Sequence, residues 1–326
     1  MTIGRRRFLR LAGGVAALPA ASRFAWAQSY PTRAVHLIVG LAAGGPTDVA
    51  ARIMAEWLSQ RLNQPFVVEN RTGVGGNLAH QAVFGSPADG YTLLFAGPAA
   101  TISASLYKKL PLHIVPDAVA IGSMMRFPNV MVVPTSLPIR SVREFIDYAR
   151  SHPGQLSMAS SGVGASPHLS GELFKFMTGI EILHVPYRGS AAAYPDLVAG
   201  RVHVLFDNVS GPVLQLVDSG KLRALGVTTA TRWELLPQIP AIAETVPGYE
   251  AIVWYGVVGP KNISPAIVRL LNESINAGLA DPKMMARIRD GGGVPMPMAP
   301  GEFAKFIVAD VEKWRRVIEF AKISAD

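Results

Sequence analysis

The sequence predicts an α/β protein of two domains facing one cleft, and three observations lead there. Strand-like and helix-like segments alternate along most of the chain, the pattern of a parallel sheet covered by helices. Short loops of Gly, Ser, Thr and Asn follow several strands, on the side where open α/β sheets take ligands. The chain has 326 residues, 49% of them hydrophobic and 17% charged, enough for a large core divided between two domains.

Residues 35–39 form a short apolar run and read as a buried strand. Gly40-Leu41-Ala42-Ala43-Gly44-Gly45 then leads into a helix over 46–62. Val49, Ile53 and Trp57 repeat there at i, i+4 and i+8. Pro46 suits the first helical turn, and Thr47 or Asp48 can cap it. A strand, a glycine turn and a helix start make an anion site, because the first N–H groups of a helix lack internal partners. Residues 65–70 read as a second strand, 71–77 as a second glycine loop and 78–84 as a helix. Asp89-Gly90 is a turn, 91–95 a third strand and 97–101 the loop after it. Three successive βα units bring the loops after Val39, Asn70 and Ala96 around one crevice.

The next block repeats this grammar. Residues 130–133, 156–160, 182–185, 204–206 and 224–228 read as strands. Ser141 caps a helix over 141–151 with Glu144 at the capping-box position. Small-residue loops follow Ser160 and Val185, with helices running on to Met177 and Ala199, and a short helix covers 213–219. Residues 235–248 read as a surface connection and 252–258 as a strand. The remainder is helical over 264–280, 282–290 and 300–323. Trp254 and Tyr255 have two readings, core and cleft floor, of which core is favoured.

Residues 1–27 have the three parts of an export signal. Gly4-Arg5-Arg6-Arg7-Phe8-Leu9-Arg10 is basic, 11–21 is apolar but too short to span a bilayer, and Ala25-Trp26-Ala27 supplies a cleavage point before Gln28. The paired arginines before Phe8-Leu9 resemble a twin-arginine signal; the alternative is an ordinary secretory signal. The formal charge of +8 falls to +3 once the five arginines of this segment are removed, which leaves no electrostatic case for nucleic acid. There is no Cys, hence no disulfide, and no later run of 18 uninterrupted apolar residues. A soluble protein of the bacterial periplasm is expected.

Several chemistries are excluded. Gly40 to Gly45 has phosphate-loop glycine spacing, but Pro46 stands where the lysine must be. Neither that loop nor Gly73-Val74-Gly75-Gly76 has the third glycine of a dinucleotide fingerprint. Ser160, Ser161, Ser166, His168 and Asp207 invite a hydrolase reading, yet Ser-Gly-Val-Gly-Ala-Ser is not a nucleophile elbow. No two of the seven histidines stand at i, i+4 with a carboxylate as third partner, so no metal or cofactor is expected. Uncharged loops of this kind can hold a carboxylate through backbone N–H groups and hydroxyls, without the cost of burying an Arg or Lys. Asp48 has two readings, helix cap and ligand to an amine or hydroxyl. So do Arg188, in the cleft or solvated on its rim, and Tyr187, packing on the wall or donating to ligand.

An ordered series of motifs over the chain from Tyr30 onward resembles the receptors of tripartite tricarboxylate transporters, the Bug or TctC-like family. They are Tyr30-Pro31-Thr32-Arg33, the stretch Ala42 to Arg52, Val68-Glu69-Asn70-Arg71 with Gly75-Gly76-Asn77, and Ser86-Pro87-Ala88-Asp89-Gly90-Tyr91. Ser160-Ser161-Gly162 with Ser166-Pro167-His168, His184-Val185-Pro186-Tyr187-Arg188-Gly189-Ser190 and Phe206-Asp207-Asn208 continue the series. The resemblance implies a type II periplasmic-binding-protein clamshell, with 28–129 plus 250–326 as the first domain and 130–249 as the second. It implies a monomeric, non-enzymatic receptor that captures a small organic anion, a di- or tricarboxylate or an aromatic carboxylate, for membrane transporter subunits. A sensor docking on a signalling receptor and a serine hydrolase are the alternatives. Carried onto this sequence, the first-domain contacts are Ala43, Gly44, Gly45, Asp48, Asn70, Gly76 and Thr101. Those of the second are Ser160, Ser161, Gly164, Ser166, His168, Tyr187, Arg188 and Asp207. Departures from the family pattern at Gly40-Leu41, at 97–100 and at Ala165 make the expected pocket less polar, which suits an aromatic or long-chain acid.

Overall fold

A computed structural model describes residues 30–107 and 109–324, so the expected export signal lies outside the described residues. The first stretch is β1 (Val35–Val39), α1 (Pro46–Leu62), β2 (Phe66–Asn70), α2 (Asn77–Phe84), β3 (Thr92–Ala96), α3 (Pro98–Leu106) and α4 (Ile114–Asp117). A 17-residue strand, β4 (Ala118–Pro134), leads into α5 (Val142–Ser151), β5 (Ser157–Ser160), α6 (Ser166–Thr178), β6 (Leu183–Pro186), α7 (Ser190–Val198), β7 (Val204–Asn208), α8 (Gly211–Asp218) and β8 (Leu222–Val227). The chain returns through β9 (Ile252–Pro260), α9 (Pro265–Leu279), α10 (Pro282–Asp290), β10 (Val294–Pro295) and α11 (Pro300–Ala321).

These strands form one continuous sheet in the order β2-β1-β3-β9-β4-β7-β5-β6, with β8 and β10 also paired to β4. β1 pairs in parallel with β2 and β3, and β5 with β6 and β7, as βα units require. The strand β4 joins the halves. Its residues 118–128 run antiparallel to β9, and its residues 129–134 run antiparallel to β7 and β8. Pro128 sits at that changeover, pairing with Ile252 just before Asn129 pairs with Asn208. A proline is tolerated where a ladder breaks.

Each half has its own apolar core. One gathers Ile38, Leu94, Trp254, Val258, Phe303 and Ile307; the other gathers Phe145, Met158, Phe174, Phe206, Trp314 and Val317. The final helix therefore serves both, since Phe303 and Ile307 of α11 belong to the first cluster and Trp314, Val317 and Ile318 to the second. Ile102 and Leu106 of α3 also pack in the second cluster. Between the two clusters lies Asp310, which is 3% exposed. It accepts from Thr101 Oγ1 at 2.7 Å and from Trp254 Nε1 at 3.0 Å, and pairs with Lys313 at 3.0 Å. A buried carboxylate is tolerable only with such partners.

Three expectations differ from this fold. Residues 97–101 read as a loop, whereas α3 begins at Pro98; its face carries no polar stripe because α3 packs on α11 and reaches the second core. The strand expected over 130–133 extends over all of β4. Residues 235–248 are more than a surface connection, because Ile239, Ala241, Ile242 and Val246 are buried beneath them.

Candidate ligand-binding cleft

The parallel registers put the carboxyl ends of β1, β2 and β3 at one edge, with Val39 opposite Asn70 and Ile38 opposite Leu94. The loops leaving those ends meet the loop after β5 around a cavity of about 280 Å³. Three helices begin at its wall: α1 at Pro46 and Thr47, α3 at Pro98 and Ala99, and α6 at Ser166 and Pro167. Each carries a proline in its first turn and none has a side-chain cap. Ser141, Ser264 and Asp281 cap α5, α9 and α10 with their side chains, whereas α2, α4, α7 and α8 also start without one. The cavity-facing helices thus begin with backbone donors left over, each start carrying roughly half a positive charge.

Among the described residues no lysine, arginine, aspartate or glutamate lines the cavity. Its apolar wall comes from Phe95, Ile102, Leu106, Val253 and the Tyr255 ring. Tyr255 is buried, accepts from Thr47 Oγ1 at 3.1 Å, and has its phenol pushed up to about 12 by burial, so it stays a neutral hydroxyl.

A carboxylate behind the wall fixes the first loop. Asp48, 2% exposed, accepts from Gly44 N at 2.9 Å, from Arg52 Nε and Nη2 at 2.9 and 3.0 Å, and from Asn70 Nδ2 at 3.0 Å. Asn70 Nδ2 also donates to Leu41 O at 3.0 Å. The Arg52 guanidinium holds the Asp48 carboxyl at about 2, below its ordinary 3.8, helped by Gly44 and Asn70 and opposed by burial. The second loop packs hard on the first: a Cβ on Gly40 would stand 2.9 Å from Gly76 Cα, so only glycine allows the approach.

The opposite wall rests on two buried clusters. Ser166 Oγ accepts from Asn129 Nδ2 at 2.8 Å, and the same amide reaches Ser170 Oγ at 2.7 Å. With a lone pair so occupied, the Ser166 hydroxyl retains its proton for a ligand. His168 Nδ1 accepts from Gly164 N at 3.1 Å, and its ring stacks on His184 at 3.8 Å. Nε2 of His184 lies 2.7 Å from Ser160 Oγ. Burial, with a smaller contribution from His168, lowers the His184 imidazole to about 4.

The family model of the tripartite tricarboxylate transporter family receptor matches residues 50–323. The chain belongs to this receptor family. Protein BugT of Bordetella pertussis (strain Tohama I) is 35% identical over 295 residues, 90% of this chain and 90% of BugT. The structure of R. palustris Rpa4515 with adipate is 39% identical, has a TM-score of 0.78, and covers 90% of this chain and 99% of its own. MatC (Rpa3494) from Rhodopseudomonas palustris with bound malate is 27% identical, has a TM-score of 0.75, and covers 89% and 100%. The receptor thus has the α/β clamshell fold of periplasmic binding proteins, as its sequence resemblance implies.

Of the residues carried over from that resemblance, Gly76, Ser161, Gly164 and Ser166 line the cavity of the receptor. Ala43 and Gly44 form the exposed crest of the first loop, with Gly45 beside them. Asp48 and Asn70 hold that loop from behind, and Asp48 is not the N-cap, a position taken by Gly45. Thr101 is fully buried against Asp310. Ser160 and His168 brace the loop that carries Gly164. Tyr187 Oη donates to Asp196 at 2.8 Å, and Arg188 is exposed. Asp207 accepts from Ser190 Oγ and Tyr194 Oη, both at 2.6 Å, and burial raises its carboxyl. Ser166 and His168 engage Asn129 and Gly164 respectively, which supplies no nucleophile–base pair between them. Sequence reasoning missed Asn129 and His80, and for Tyr255 it favoured core over cleft floor, whereas the ring is buried and also lines the cavity. For His80 a signal existed, since it stands four residues before Phe84 on one face of α2.

Proposed function

We propose that this receptor captures a small organic carboxylate in the periplasm and hands it to the membrane subunits of a tripartite tricarboxylate transporter. The carrying observation is the convergence of three uncapped helix starts on a cavity lined by no charged side chain. Backbone N–H groups and hydroxyls such as Ser166 stabilise a carboxylate without a counter-ion. The adipate and malate in two neighbouring structures support that ligand class. Residues 28–129 with 250–326 act as one lobe and 130–249 as the other. A ligand touching both shifts the lobes toward closure by its better fit to the closed state. The cycle is binding and release without turnover, by a monomer exported under the signal at 1–27. Among the described residues no helix is long and apolar enough to cross a membrane.

Thermal unfolding in the presence of adipate, malate, benzoate, an amine and a sugar tests this. A carboxylate at 100 times its Kd raises stability by about 2.7 kcal/mol, and solution scattering then records compaction. A rise with the amine or sugar and with none of the acids overturns the reading.

A further inference from the structure

One group on the cavity wall differs chemically from the helix N–H donors around it. His80 lies on α2, is 6% exposed, and lines the cavity beside Gly76. Its ring stacks on Phe84 with 6.2 Å between centroids and 19° between planes, which fixes the plane. Nδ1 stands 3.1 Å from Asn77 Oδ1. A carbonyl oxygen only accepts, so the imidazole proton sits on Nδ1 and Nε2 keeps its lone pair. Nε2 faces the loop that carries Gly76, where an added Cβ would lie 3.5 Å away. Burial lowers the imidazole to about 4, and at neutral pH the ring carries no charge.

A neutral acceptor beside the helix N–H donors discriminates between ligands. A carboxylate offers it only lone pairs, and a methyl group leaves it desolvated and unpaired, whereas a hydroxyl or amide N–H satisfies it. Resting on the carboxylate reading above, we propose that His80 makes the receptor select acids bearing a hydrogen-bond donor at their far end over acids ending in a methyl group or a second carboxylate. The helix starts take the acid group, and His80 reads what the ligand carries besides it.

The test is calorimetric titration of the wild type and His80→Phe with hexanoate, 6-hydroxyhexanoate, adipate, benzoate and 4-hydroxybenzoate at pH 7.5. Phe keeps a ring against Phe84 and removes the lone pair. In the wild type at least one hydroxylated acid is expected to bind about tenfold more tightly than its unhydroxylated match. In His80→Phe that ratio falls to about one. Equal affinities within both pairs in the wild type overturn the inference, as does a hydroxyl preference that survives in His80→Phe. So does adipate binding more tightly than 6-hydroxyhexanoate with no proton taken up in buffers of different ionisation enthalpy. Should His80→Phe not fold, the wild-type ratios decide alone. A receptor that binds adipate but neither 6-hydroxyhexanoate nor 4-hydroxybenzoate refutes only this inference; one that binds no carboxylate refutes the reading beneath it.

Discussion

Replacing Asp48 by Asn probes the first loop with the least change of shape. Four donors reach the wild-type carboxylate, from Gly44, Arg52 twice and Asn70, at 2.9 to 3.0 Å. An amide keeps one acceptor and turns an NH2 toward donors that need an oxygen. The Arg52 side chain is 53% exposed, so water replaces its bonds and its share is about 1 kcal/mol or less. The bonds from Gly44 and Asn70 go to a charged acceptor that is almost fully buried, and a hydrogen bond of that kind contributes roughly 1.5 kcal/mol or more. The expected loss for Asp48→Asn is about 2–3 kcal/mol, read as a lower urea midpoint at unchanged m-value. The pH dependence has a definite sign. The folded carboxyl titrates at about 2 against an ordinary 3.8, so its stabilisation is complete above about pH 4 and is lost as pH falls toward 2. The gap between wild type and Asp48→Asn therefore narrows between pH 4 and pH 2. A variant within 0.5 kcal/mol of wild type at pH 7, or a gap that widens in acid, refutes the assignment of Asp48 as the clamp of this loop.

Three further outcomes are expected. A Cβ at Gly164 would stand 2.5 Å from Leu106 Cδ2 at a φ of +77°, so Gly164→Ala pushes the loop off α3; calorimetry should record at least a tenfold loss of affinity for a bound acid, with about 1–2 kcal/mol of stability lost to strain. Asp310→Ala leaves the buried Trp254 N–H without its acceptor, while Thr101 keeps Pro98 O and the part-exposed Lys313 keeps water, and about 2–3 kcal/mol should disappear from the urea transition. His80 is held at about 4 against an ordinary 6.5, so the unfolded chain takes its proton first and stability falls as pH drops from about 6.5 to 4. Between pH 7 and pH 5 the wild type should lose about 2 kcal/mol that His80→Phe does not lose, measured by denaturant titration at both pH values.

Helix α1 was legible to the residue because its two signals agree: Pro46 at the first turn and an apolar repeat at helical spacing. Helix α3 was not, because a helix enclosed on most sides carries no polar stripe, and Ala99, Ala100, Ser103 and Ala104 resemble loop composition. β4 was seen only in part, since Gly122, Arg126 and Pro128 interrupt its apolar run at places where its partners change or its register shifts. The loops that reach the cavity were readable from their glycines and from the strand-then-helix order. What lay beyond reading was the direction of side chains. Asp48, Asn70, Ser160 and His168 are all beside cavity loops in sequence, yet each is turned to another protein group, a choice fixed by partners 4 to 24 residues away. Asn129 was invisible for a stronger reason, as its partners Ser166 and Ser170 lie 37 and 41 residues on.

The double membership of α11 has a consequence for the order in which this chain is made. The first three strands emerge from the ribosome early, but β3, paired with β1 on one edge, waits for β9 on the other, and both cores wait for α11. Neither half finishes burying its apolar surface until residue 318 is free of the exit tunnel. Completion of both cores is thus a late closure between residues far apart in sequence, and part of the nascent chain's apolar surface stays uncovered until that helix arrives.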